Sequence, residues 1–146
     1  MQTQTETWRD LMVRPLRRYA DFRGRSGRRE FWWYCLFLAL GYGAISIVVL
    51  VAAAAQFPEG IIGGTAVLGY SLFFLFNLIP GLALTTRRLH DLGLSGVLLL
   101  VIFGVMLFFN VIGWIGYLIV MSLPGQVTAN RWGPPLGVQD VADVFG

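Results

Sequence analysis

Charged side chains are absent from three long stretches of the chain and gather in the gaps between them. The stretches run from Phe31 to Ala55, Ile61 to Thr86 and Val97 to Met121, 25 or 26 residues each. At about 1.5 Å rise per residue, such a stretch makes a helix of roughly 38 Å. The hydrocarbon core of a bilayer is about 30 Å thick, so each stretch predicts a membrane-crossing helix, tilted or with its ends among the headgroups. A helix is the expected form because lipid offers backbone amides no partner. The third stretch is ambiguous. Counted from Gly96 to Gly125 it is 30 residues long, and Asn110, Gly113 and Gly116 interrupt its middle. A single kinked crossing is the first expectation, placing the carboxyl terminus on the far face. The alternative is a hairpin, a fourth membrane segment that returns the tail to the starting face.

The pattern before the first stretch differs. Trp8, Leu11, Met12, Leu16 and Tyr19 recur at helical spacing with Arg9, Arg14, Arg17 and Arg18 between them. That predicts an amphipathic interfacial segment. Pro15 fits best in a helix's first turn, or marks a kink. The expected organisation is a basic segment over 1–30, a transmembrane domain over 31–125 and a short tail over 126–146. The fold class is an all-α integral membrane protein, a small bundle of three transmembrane helices.

Composition agrees with the pattern. Hydrophobic residues make up 56% of the chain and charged residues 13%, against about 25% charged in a soluble domain. There is too little polar surface to cover a water-facing fold. All eleven basic residues are arginines, and eight of them lie in residues 1–30. Arginine beside a span end keeps that end in the cytoplasm. The amino terminus and the segment with Arg87 and Arg88 are therefore expected there, and the Gln56–Gly60 loop outside. Arg28-Arg29 before an apolar run resembles a twin-arginine signal, but the run is too long and opens on Trp32, Trp33 and Tyr34, so an uncleaved anchor is expected. The location this implies is a membrane, multi-pass, with the amino terminus in the cytoplasm.

Two motifs carry most of the charge. Residues 22–32 read FRGRSGRREFW, a phosphate-attracting cluster beside an aromatic belt. Residues 87–96 read RRLHDLGLSG, where His90 is the only histidine. The expected polar network joins Arg23, Arg25, Arg28, Arg29 and Glu30 to Arg87, Arg88, His90 and Asp91 on one membrane face. Gly93 and Gly96 are expected to turn the chain into the third stretch. Asn130, Arg131, Trp132 and Gly133 form a candidate tail turn. Within the spans, Ala39 with Gly43 and Gly60 with Gly64 are spaced for close helix approach.

No catalytic, cofactor-binding or metal-binding set is legible. A metal site needs three or four ligands, and His90 has only scattered carboxylates for company. No stretch holds an ionisable Asp, Glu, Lys, Arg or His, which counts against an ion-coupled transporter.

FRGRSGRREFW, RRLHDLGLSG and Asn130-Arg131-Trp132-Gly133-Pro134, with PLRRYADF before them, resemble the markers of the bacterial "domain of unknown function 805" family of small inner-membrane proteins. The resemblance covers roughly residues 15–135. It implies location and architecture, and no activity. One departure is Asn110-Val111-Ile112-Gly113 where members often have a proline–glycine break, which counts against the hairpin.

The expected function is a non-enzymatic membrane module whose cytoplasmic arginine face binds anionic lipid headgroups or a partner protein, with no nucleic acid. Two alternatives stand beside it: an oligomeric channel or transporter component, and a lipid-headgroup enzyme using His90 and Asp91.

Overall fold

A computed structural model describes residues 7–136. Glu6 and the end of the tail, 137–146, lie outside the described residues. Among the described residues four helices follow in order: α1 (Trp8–Arg17), α2 (Arg28–Ala54), α3 (Glu59–Asp91) and α4 (Leu98–Ser122).

Helix α1 starts at Thr7, whose hydroxyl accepts the Asp10 N–H. Such a cap satisfies one of the orphan donors of a first turn. Its apolar face is seated on the bundle, with Leu11, Met12 and Pro15 buried. Trp8 meets Trp33 at 5.8 Å and Tyr19 meets Phe76 at 6.0 Å between ring centroids. Pro15 sits near the end of α1 and not at its start, where the helix has only two residues left to run.

Helices α2 and α3 are antiparallel and joined by residues 55–58. Gln56 takes a positive φ of 56°, while Phe57 N–H donates to Ala52 O and Gln56 N–H to Ala53 O. These two bonds close the last carbonyls of α2 as a Schellman end. The helices approach closest at glycines other than the expected ones. A Cβ on Gly41 would lie 2.2 Å from the Phe73 ring, and one on Gly69 would lie 3.2 Å from Ile45, whereas Gly43, Gly60 and Gly64 face open space. The expected four-residue pairs do not make the approach; one glycine on each helix does, each against a bulky side chain of the other. Polar groups are paired along the same seam. Tyr34 donates to Asn77 Oδ1 at 3.0 Å, Asn77 donates to Phe73 O at 2.8 Å, and Ser46 meets Tyr70 at 2.8 Å.

Helix α3 continues one and a half turns beyond its apolar run. Arg87, Arg88, His90 and Asp91, which lie in the gap between the second and third apolar stretches, therefore stand on helix. The stop comes at Gly93, φ 80°, with Leu94 N–H donating to Leu89 O at 2.9 Å and Gly93 N–H to His90 O at 3.1 Å. This is a second Schellman end.

Three helices, α2, α3 and α4, are long and apolar enough to cross a membrane. The path of α4 is the hairpin left open by the sequence. Asn110 breaks the helix with φ 41° and ψ −113°. A Cβ on Gly113 would lie 2.7 Å from Met106 Cα, seven residues earlier, where a straight helix would separate the two by about 10 Å. Leu98, Leu99 and Ile102 from the first arm, and Tyr117, Val120 and Met121 from the second, meet the same core of Phe31, Tyr34, Leu84 and Leu89. The proline–glycine break was thus not needed, because Asn tolerates positive φ better than most residues and Gly113 lets the arms touch. Each arm, 12 residues on either side of Asn110, reaches roughly 18 Å, a little over half the hydrocarbon thickness. Both ends of α4 consequently lie beside the carboxyl end of α3.

Outward faces are apolar throughout, with Leu107 and Phe108 at the hairpin tip more than 80% exposed. Surface of this kind is suited to lipid.

Candidate functional site

The fold collects polar groups at one end of the bundle, where α2 begins, α3 ends and the chain leaves α4. The Asp21–Gly27 segment runs over the end of α3 and is tied to it by Ser26 N–H donating to Arg87 O at 3.1 Å. Gly24 makes this path with φ 78°, a conformation open to glycine. Arg25 is thereby turned inward.

Asp91 is the centre of the arrangement. Its Oδ1 accepts Arg25 Nε at 2.9 Å and faces Arg25 Nη2 at 2.8 Å, while Oδ2 accepts Arg88 Nη1. All three side chains are at least 95% buried. Both guanidiniums spend their remaining donors on backbone carbonyls of the returning chain. Arg25 reaches Thr128 O at 3.0 Å and Gln126 O, and Arg88 reaches Met121 O at 3.1 Å and Leu123 O. Gln126 N–H donates to Asp91 O at 2.8 Å. A Cβ on Gly125 would fall 2.0 Å from Asp91 Oδ2, so only glycine lets the return segment lie this close.

The tail turn closes on the same place. Asn130 and Gly133 exchange backbone hydrogen bonds, Asn130 Nδ2 donates to His90 O at 3.0 Å, and Trp132 N–H donates to Asn130 Oδ1. The Trp132 ring stacks on His90 with centroids 4.5 Å apart, and Arg131 covers the Trp132 ring at 4.0 Å. His90 Nδ1 lies 3.2 Å from Gly24 O. His90 is thus held between the first motif and the tail.

A second buried pair lies alongside. Arg87, fully buried, faces Glu30 at 3.5 Å and donates to Asp21 O at 3.0 Å. Arg14 approaches Glu30 at 3.9 Å from α1. Arg18 binds Asp21 at 2.7 Å, and this hydrogen bond, with the Arg23 N–H, holds the Asp21 carboxyl below its ordinary value.

Of the expected network, Arg25, Glu30, Arg87, Arg88, His90 and Asp91 are brought together. Arg23, Arg28 and Arg29 are not. Arg28 and Arg29 occupy the outward side of the first turn of α2, and Arg23 precedes the inward bend at Gly24, so all three side chains remain exposed. Arg14, Arg18 and Asp21 were missed: the helix ends at Arg17, so Asp21 reaches Arg18 across a turn and not along a helix face. The acceptors at Met121, Leu123, Gln126 and Thr128 are backbone carbonyls, which no side-chain pattern announces.

Two openings flank the first turn of α2. The outer one, about 520 Å³, is lined by Arg28, Arg29, Trp32, Trp33, Leu36 and Ser122. Charge, indole and aliphatic surface succeed one another along it. The inner one, about 690 Å³, lies between α1, α2 and the return segment. Arg14, Arg18, Arg25, Arg28 and Arg29 line it, against Glu30 and Asp91. Among the described residues no cluster of three His, Cys, Asp or Glu could hold a metal ion.

Long apolar helices with a lipid-suited surface, and polar groups gathered at one end, define a small helical integral membrane protein. The chain belongs to the family described as "Protein of unknown function (DUF805)", whose profile matches residues 19–134. It is similar to the inner membrane protein YhaI of Escherichia coli K12, 31% identical over 118 residues, covering 81% of this chain and 87% of that protein. It is also similar to the inner membrane protein YhaH of the same organism, 28% identical over 128 residues, covering 86% of this chain and 94% of that protein. No solved structure gives a significant match.

Proposed function

We propose that this inner-membrane protein is a non-enzymatic module whose outer groove binds the headgroups of anionic phospholipids from the cytoplasmic leaflet. The observation that supports this reading is the division of the arginines. Arg25 and Arg88 are engaged by the buried Asp91 carboxylate and by carbonyls and Arg87 is buried facing Glu30, whereas Arg28 and Arg29 stay exposed above Trp32, Trp33 and Leu36. That order of groups follows the order of a phospholipid: phosphate, interface, acyl chain. Tryptophan favours the headgroup level, and each arginine near an anionic leaflet adds about 1 kcal/mol. The cytoplasmic assignment rests on the arginine-rich ends, which the positive-inside rule retains on that side.

The test is lipid retention. Protein in uncharged detergent is offered phosphatidylglycerol or phosphatidylcholine, and bound lipid is counted by native mass spectrometry. Wild type should retain phosphatidylglycerol selectively. The double variant Arg28→Gln/Arg29→Gln loses about 2 kcal/mol of attraction, a roughly thirtyfold weakening. Equal retention by wild type and variant would overturn the reading.

A further inference from the structure

The inner opening has a different chemistry from the outer groove. The geometry points to a second site there, one that takes a phosphomonoester dianion carrying an organic group. Its two carboxylates are already occupied: Asp91 by Arg25 and Arg88, and Glu30 by Arg87 and Arg14. Among the described residues the positive charges of Arg28 and Arg29 are not offset in this way, whereas Arg14 and Arg18, which also line the opening, are engaged by Glu30 and Asp21. A surplus of this size is met better by a dianion than by the single charge of a phosphodiester lipid.

The backbone adds donors at the same place. Helix α2 is 27 residues long and begins at Arg28, and its N-cap, Gly27, has no side chain to cap the first turn. The N–H groups at a helix start are short of partners and favour negative charge. Gly27 itself lines the opening, so these donors and the arginine side chains converge on one space. At about 690 Å³ that space is larger than phosphate alone, and Leu11, Val127 and Leu136 supply an apolar wall for what the phosphate carries. Soluble phosphomonoesters and phosphatidic acid share this chemistry, and binding separates the two sources.

The discriminating variant is Gly27→Asp. A Cβ at Gly27 would lie 3.6 Å from Leu136 Cδ1, an ordinary contact, and the residue's φ of −80° suits any side chain. The new carboxylate would cap α2 and occupy the anion's place, so the fold keeps or gains stability while the site is lost. A second variant, Val127→Glu, puts a carboxylate on the same wall at a position 82% exposed.

Full-length protein in uncharged detergent is titrated calorimetrically with glycerol 3-phosphate, dioctanoyl phosphatidic acid and dioctanoyl phosphatidylglycerol. Saturable binding of a monoester, weakened at least about tenfold in both variants, is expected, because charge-assisted hydrogen bonds are at stake. Binding of glycerol 3-phosphate assigns a soluble ligand; binding of phosphatidic acid alone assigns a lipid one. No saturable monoester binding, or binding that both variants leave intact, overturns the site. Wild type that binds a monoester, with both variants weakened, but retains no phosphatidylglycerol would instead sink the outer-groove reading alone.

Discussion

Replacing Gly113 by alanine should pry open the α4 hairpin. The added methyl would lie 2.7 Å from Met106 Cα and 2.9 Å from Val105 O, both backbone atoms, where ordinary contact begins at 3.4 Å. The arms must therefore part by about 0.7 Å along that line, because neither atom can rotate away. Overpacking of this kind costs about 1–3 kcal/mol. Gly104 and Gly116 lie in the same helix with nothing within 4 Å, so alanine there should change stability by no more than about 0.5 kcal/mol. Stability is read from unfolding in mixed micelles, and the fold from spin labels at exposed Leu100 and Ile119 in a Cys35→Ala background. A straight helix would hold those positions about 28 Å apart. Antiparallel arms bring their axes to about 8–10 Å. A wild-type distance near the longer value would refute the hairpin. Gly113→Ala as stable as Gly116→Ala, with the short distance kept, would refute the packing argument.

Three further outcomes follow from the polar end and the helix seam. Asp91→Asn leaves Arg25 and Arg88 buried without their counter-charge and should cost about 3–5 kcal/mol, whereas exposed Arg23→Gln should cost no more than about 0.5 kcal/mol; equal unfolding curves would remove Asp91 from the centre of the site. Tyr34→Phe leaves Asn77 Oδ1 without its donor and should cost about 1–3 kcal/mol, measured as a shift in thermal unfolding of the detergent-solubilised protein. The Asp21 carboxyl should titrate below the ordinary aspartate value of about 3.9. Its contribution to stability is full above that value and is lost as pH falls through the lower folded one; a carbon-13 NMR titration giving 3.9 or higher would disprove the Arg18 contact.

The membrane class and the helix order were legible because charge-free length is itself the physical requirement for crossing lipid. The convergence of the RRLHD motif with the Arg25 motif was legible for the same reason, since two crossings return the chain to one face. The path of α4 was not. A straight apolar helix and a hairpin of the same residues have identical composition, and the difference lies in one positive φ at Asn110 and one missing Cβ at Gly113. Nor could sequence divide the arginines into buried and exposed. Arg25 and Arg28 are three residues apart in equally basic surroundings, and only the bend at Gly24 and the start of α2 at Arg28 turn one inward and the other out. The return segment was invisible as a partner because its acceptors are main-chain oxygens, available at every residue and specified by shape alone.

The half-depth hairpin makes the molecule unequal across the bilayer's midplane. One leaflet accommodates α2, α3 and both arms of α4, four helical cross-sections, while the other accommodates α2 and α3 only. Each helix is about 10 Å across, so the protein displaces roughly twice the lipid area on one side. It is a wedge, with its broad side at the arginine-bearing end, and lipids packed around it will splay in one leaflet and crowd in the other. That inequality between the leaflets follows from the turn at Asn110 alone.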